Sequence, residues 1–228
     1  MRLVLFDVDG TLLLARGAGR RALTRALVEV YGTAGTMEHY DLRGKTDMAV
    51  VHEVLEAAGV PRAGVAALRE RCFEVYARRL ADEIGNGLAV ETLPGVASLI
   101  QRLTEAGALL GLLTGNTEAG AHIKLAPTGL RPYFRTGAYG CEDLDRRRLA
   151  ALAVERAGTV ARQGFRPGDV VVVGDTPHDV DCARAVGAVA VAVATGQVAR
   201  EELLAARPDL LFDSFADAER AAAALLSA

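Results

Sequence analysis

Tryptophan is absent, and phenylalanine and tyrosine together supply only 5% of the 228 residues. Any core must therefore be filled by alanine, valine and leucine. Lysine is nearly missing as well: of 26 basic residues, only Lys45 and Lys124 are lysines. The arginines are spread along a chain of net charge −3 and form no basic tract, which gives no argument for nucleic acid as a partner. Their abundance also means that an arginine at any single position says little about function. Three cysteines, Cys72, Cys141 and Cys182, lie far apart. They have neither the paired spacing of a zinc site nor the density of a disulfide framework, and they read as reduced thiols. No apolar stretch reaches the roughly 18 residues of a membrane span, and no signal-like segment precedes Leu3. A cytoplasmic chain, monomeric or homodimeric and without a membrane partner, is expected.

What is present is a chain 51% hydrophobic and 24% charged, able to bury a large core. Short non-alternating apolar runs occur at Leu3–Phe6, Leu109–Leu113, Val170–Val173, Val189–Val193 and, more weakly, Leu210–Phe212. Runs of this length and composition predict strands buried on both faces. Helical patterns separate them: one opens at Pro94-Gly95-Val96, one runs from about Leu149 to Ala157, one lies between Pro177 and Gly187, and an alanine-rich tail follows Ala221. Alternation of this kind predicts an α/β fold with a Rossmann-like parallel sheet. Between Leu14 and Gly85 no such strand run occurs. One helix is expected after the capping residues Thr46 and Asp47, and another from about Val65 to Leu80. The expected organisation is a core of residues 1–14 and 86–228 interrupted by a small all-helical cap of residues 15–85.

Three of the apolar runs end in polar residues suited to phosphate or metal. Leu3–Phe6 leads into Asp7-Val8-Asp9-Gly10-Thr11, Leu109–Leu113 into Thr114-Gly115-Asn116, and Val170–Val173 into Gly174-Asp175-Thr176-Pro177-His178-Asp179. Taken singly, each reads as ordinary turn or helix-cap chemistry. In an open parallel sheet, however, the carboxyl ends of the strands line one crevice, so the three segments are expected to converge. Asp7 and Asp9 lean the same way, and carboxylates this close repel unless a cation lies between them or one holds a proton. Mg²⁺ and general-acid chemistry are the two useful resolutions. Asp175 would supply a second metal carboxylate, and Asp179, one helical turn on, would support it through water.

In this order the motifs resemble those of the haloacid dehalogenase-like hydrolases. Asp7 to Thr11 matches the first motif, Thr114 the second and Gly174-Asp175 to Asp179 the fourth, and the similarity covers essentially the whole chain. Gly44-Lys45-Thr46-Asp47 resembles a cap segment of phosphoglycolate phosphatase-like members, and the helical-cap organisation as a whole resembles the subclass of phosphoglycolate phosphatase-like and β-phosphoglucomutase-like members. The resemblance implies that Asp7 is the nucleophile and that Asp9 is the acid and then the base. It implies that Asp7, the Asp9 carbonyl and Asp175 hold Mg²⁺, and that Thr114, with Gly115 and Asn116, binds phosphate. One motif departs: the family's lysine between the second and fourth motifs is missing, apart from Lys124, which comes early. Arg146, Arg147 and Arg148 are the replacements considered, Arg146 first. Arg43 and Lys45 of the cap are candidates for the non-reacting end of the substrate, whereas His52 and His178 are given no role.

The expected function is Mg²⁺-dependent hydrolysis of a small phosphorylated metabolite through an aspartyl-phosphate. The alternatives are a phosphomutase of the β-phosphoglucomutase type and a non-catalytic phosphate-responsive protein. A dehalogenase would need neither Asp9 nor the metal.

Overall fold

The computed structural model describes residues 1–85 and 90–228. Its elements follow one another as β1 (Leu3–Phe6), β2 (Leu13–Leu14), α1 (Ala18–Tyr31), α2 (Asp47–Glu56), α3 (Arg62–Gly85), β3 (Glu91–Thr92), α4 (Val96–Glu105), β4 (Leu109–Thr114), α5 (Glu118–Leu125), β5 (Thr136–Tyr139), α6 (Arg146–Ala161), β6 (Val170–Gly174), α7 (Pro177–Ala185), β7 (Val189–Val193), α8 (Arg200–Ala205), β8 (Leu210–Phe212) and α9 (Ala218–Ser227). Six strands form one parallel sheet in the order β5-β4-β1-β6-β7-β8. β1 is central and its register is set on both sides: Phe6 lies opposite Leu112 of β4 and Val173 of β6. Continuing that register puts Asp7 level with Leu113 and Gly174, so that Thr114 and Asp175 lie one residue beyond it at the same edge of the sheet.

The period-two alternation of a strand decides what each face of the sheet buries. Val4, Phe6, Leu112 and Val173 pack toward α4, α5 and α9, whereas Leu3, Leu5, Leu113 and Val172 pack toward α6 and α7. Leucine, valine and alanine do most of this filling. Among the described residues, only Tyr76, Phe6 and Phe215 are large aromatics buried completely.

β2 and β3 pair antiparallel, joining the segment that leaves the core to the one that returns, and α1, α2 and α3 lie between them. Residues 15–85 hold no strand. The expected start of the returning core segment, residue 86, lies outside the described residues. α2 starts where expected, because Thr46 is extended and its hydroxyl accepts the Ala49 N–H at 3.1 Å. Two expectations need correcting. α6 does not begin near Leu149: Asp145 caps it by accepting the Arg147 N–H, so the helix starts at Arg146 and runs on through Gly158 to Ala161. β5, whose Thr-Gly-Ala-Tyr sequence has no Val/Leu run, was not expected at all. Among the described residues, no helix is long and apolar enough to cross a membrane.

Candidate active site

Asp7 is the first residue beyond β1, and its N–H still donates to Val173 of β6 at 2.9 Å. The chain then turns sharply at Gly10, whose φ of +80° suits glycine, and a side chain there would run into the Asp175 carboxylate. That close approach brings the end of β1 against the end of β6. Thr11 donates its hydroxyl to Asp175 at 3.3 Å. Asp179 is set by the start of α7. Thr176 and Asp179 form a reciprocal cap, with Asp179 Oδ2 accepting the Thr176 N–H at 3.0 Å and its hydroxyl at 2.7 Å.

Arg146, the first residue of α6, reaches under this group. Its guanidinium lies 3.1 Å from Asp7 Oδ1 and 2.5 Å from Asp179 Oδ1, and the residue is only 7% exposed. Arg147 and Arg148 point outward and pair with Asp145 and Asp143. The helix start explains the difference, since the three successive residues face different directions around α6. Asp179 was expected to act through water, yet both its oxygens are engaged by Arg146 and Thr176.

Asp7, Asp175 and Asp179 each offer an oxygen within 4.8 Å of the others. Three carboxylates against one guanidinium leave two negative charges in a buried space. Burial accordingly pushes Asp7 up to about 6, against the pull of Arg146 and with the help of Asp179. Asp175 is raised by burial and then by Asp7. A divalent cation with a preference for hard oxygen donors is the charge this cluster lacks, so the residues fit Mg²⁺.

Thr114, at the end of β4, accepts the Asn116 side-chain amide at 2.8 Å and the Asn116 main-chain N–H at 3.3 Å. Asn116 also donates to Asp9 Oδ2 at 2.9 Å. The partner not foreseen here is Lys124 on α5, considered from the sequence only as the family's lysine between the second and fourth motifs and set aside because it comes early. It is buried, and its ammonium lies 2.6 Å from both Asp9 Oδ2 and Asn116 Oδ1. A lysine this rare in the chain, eight residues after Asn116, is the signal that could have drawn attention to it.

The cap closes on these residues through main-chain bonds. At the start of α2, Asp47 N–H donates to Gly115 O at 2.7 Å and Met48 N–H to Gly140 O at 2.8 Å, while the Asp47 carboxylate accepts the Thr117 N–H at 2.8 Å. A side chain on Gly115 would occupy the place of the Lys45 carbonyl. Between cap and core lies a cavity of about 540 Å³ with Asp7, Asp9, Arg146 and Asp175 on its wall. Lys45 also reaches this wall, but its ammonium is held by Tyr40 at 2.5 Å and Glu53 at 2.7 Å. Arg43 pairs with Asp41 at 2.7 Å. His52 is buried against Glu56, and His178 packs on Gly44, both away from the carboxylates.

A family model described as haloacid dehalogenase-like hydrolase matches residues 1–187. A phosphoglycolate phosphatase of Synechococcus elongatus is 32% identical over 227 residues, 99% of each chain. Among solved structures, that of CbbY from Rhodobacter sphaeroides in complex with phosphate superposes with a TM-score of 0.72 at 21% identity over 100% of both chains. A putative β-phosphoglucomutase from Bacteroides vulgatus gives a TM-score of 0.72 at 18% identity, covering 100% of this chain and 91% of that one. At these identities the solved structures speak for the fold alone.

Proposed function

The chain belongs to the haloacid dehalogenase-like hydrolases, and from that membership we propose that it is a Mg²⁺-dependent phosphatase of the phosphoglycolate phosphatase type, cleaving a small phosphomonoester through an aspartyl-phosphate. The observation that carries this reading is the position of Asp7. It is a buried carboxylate at the end of the central strand, against the Arg146 guanidinium and beside Asp175, at the wall of a cavity sized for a small metabolite.

In this reading an Asp7 oxygen attacks phosphorus while the bond from phosphorus to the ester oxygen breaks, and Asp9 gives that oxygen a proton as the alcohol leaves. Asp9 then takes a proton from water, whose oxygen attacks phosphorus and releases inorganic phosphate and free Asp7. Lys124 and Asn116 both contact Asp9 at Oδ2, which leaves Oδ1 for the proton. Arg146 faces the Asp7 carboxylate and neutralises charge gathering on the phosphoryl oxygens, and Asp179 keeps its guanidinium aimed there. Thr114 and the backbone around Gly115 and Asn116 would hold a phosphoryl oxygen. The carboxylates of Asp7 and Asp175 and the main-chain carbonyl of Asp9 would hold Mg²⁺. When bound, the ion supplies charge neutralisation at the phosphoryl group.

The test is a panel of phosphomonoesters assayed with Mg²⁺ and after exhaustive chelation, for the wild type and for Asp7→Asn. Turnover in Mg²⁺, silence after chelation, and loss of at least roughly 10³-fold in Asp7→Asn are expected. Full activity without a divalent ion would remove the metal from the scheme, and an active Asp7→Asn would remove the nucleophile.

A further inference from the structure

Six cations line the cavity between cap and core, and five of them are matched by a carboxylate. Arg16 pairs with Glu91, Arg43 with Asp41, Lys45 with Glu53, Lys124 with Asp9, and Arg146 with Asp7 and Asp179. The sixth is Arg20, in the first turn of α1. Among the described residues it has no acidic partner. Its guanidinium is instead fixed by two main-chain carbonyls of the loop before α2: one terminal nitrogen donates to Met37 O at 2.6 Å and the other to Tyr40 O at 2.7 Å.

Two of its five N–H groups are thus used, and both bonds are to neutral acceptors, so the positive charge stays uncompensated. The side chain is half-buried and stands on the cap wall of the cavity. A guanidinium already held in one orientation by two bonds loses little freedom on taking a further acceptor, and its remaining donors suit a planar or tetrahedral oxyanion. Arg43 and Lys45, the cap cations that the sequence singled out for this purpose, have their charge matched within the cap.

We propose that Arg20 is the specificity-determining cation of the cavity: the anionic non-reacting end expected of a substrate of the phosphoglycolate phosphatase type is held there, and not by Arg43 or Lys45. The inference rests on the phosphatase reading above and refines it. The phosphoryl group lies at Asp7, Arg146 and Asp175; the second anion, carboxylate or phosphate, lies at Arg20.

The experiment compares kcat/KM of the Mg²⁺-loaded wild type for four compounds: a short ω-carboxyalkyl phosphate, its carboxamide, the matching alkyl bisphosphate, and p-nitrophenyl phosphate. A charged end is expected to exceed the amide by about ten- to a hundred-fold, chiefly through KM, as a charge-assisted hydrogen bond does. Whichever charged compound leads identifies the anion. Arg20→Gln should bring the charged-to-amide ratio to within about three-fold, and Arg20→Lys should keep part of the preference because the charge remains. Equal rates for acid, bisphosphate and amide, with p-nitrophenyl phosphate still hydrolysed, would overturn the inference and leave the phosphatase standing. A strong preference that survives in Arg20→Gln would overturn the assignment to Arg20. Failure to hydrolyse any of the four compounds would bring down the phosphatase reading itself. Should Arg20→Gln not fold, the wild-type ratio and Arg20→Lys decide the matter.

Discussion

Core and cap treat charge in opposite ways. In the core, charged groups far apart in sequence are driven together under cover. Arg146 meets Asp7 across 139 positions of chain and Asp179 across 33, and all three are less than a tenth exposed. In the cap, Arg43 takes an acid two residues away and Lys45 one eight residues away, in half-exposed pairs. Buried ion pairs are costly to assemble and strongly destabilising to break, whereas exposed pairs contribute roughly 0–1 kcal/mol. The difference teaches where to look for chemistry. The core keeps expensive charges where the proposed reaction would use them, and the cap matches its charge in more exposed pairs, some within a few residues and some between α1 and α3.

The largest effect should come from the core side of that contrast. Arg146→Ala removes the guanidinium that faces Asp7 and Asp179, and turnover should fall roughly 10³-fold, in line with the loss of a preorganised transition-state charge contact. Arg147→Ala and Arg148→Ala, which lose only exposed partners, should stay within about three-fold of wild type. Comparable losses at all three arginines in steady-state kinetics would erase the distinction between buried and exposed charge.

Next in size is the joint between the two regions. Gly115→Ala places a methyl group where the Lys45 main-chain carbonyl lies, and main chain cannot step aside as a long side chain can. The cap should then fail to seat on Gly115 and Gly140. Misplacement of about 1 Å at a reacting centre costs roughly 10²-fold. The loss should appear in kcat/KM with natural-size substrates and be smaller with p-nitrophenyl phosphate. An unchanged kcat/KM would mean that cap seating does not govern the site.

Much of the fold was legible because the sheet is buried on both faces. Such strands must be continuous apolar runs, and β1, β4, β6 and β7 announce themselves that way, with the half-buried edge strand β8 a weaker case. β5 did not, because an edge strand with Gly137 and Ala138 at its centre carries no such signature. The start of α6 was hidden for a related reason: Arg146 is buried through its charge, and a pattern of apolar residues cannot register it. Convergence of Asp7, Thr114 and Asp175 followed from strand ends alone. The Lys124–Asp9 pair did not, since it depends on how α5 lies against the turn after β1. Nor could spacing distinguish cap cations that are matched by acids from Arg20, which is not.

A smaller effect is expected in the cap. If Lys45 and Arg43 are neutralised where they stand, Lys45→Ala and Arg43→Ala should change kcat/KM by no more than about three-fold. A hundred-fold loss at Lys45 with unchanged behaviour at Arg20 would reverse the roles assigned to the two cations.

The smallest expected effect tests the one cap carboxylate that behaves like the core. Asp47 lies at the joint, its carboxylate accepts the Thr117 N–H, and burial pushes it up to about 6, with Lys124 pulling the other way. In the unfolded chain an aspartate titrates near 3.9. The folded state thus holds this proton more tightly, and the sign follows. The contribution of Asp47 to stability is most favourable below about pH 4, declines as pH rises toward 6, and is flat above that. Asp47→Asn keeps an oxygen to accept the Thr117 N–H but carries no charge to desolvate. Its stability relative to wild type should therefore rise between about pH 4 and pH 6 and level off at a gain on the order of 1–2 kcal/mol. Because Asp7 and Asp175 titrate alike in both proteins, the difference between the two unfolding curves isolates Asp47. Thermal or urea unfolding measured from pH 4 to pH 8 gives that difference directly. A difference that is flat across this range, or that falls as pH rises, would mean that Lys124 fully compensates Asp47, and the joint would then be charge-matched like the rest of the cap.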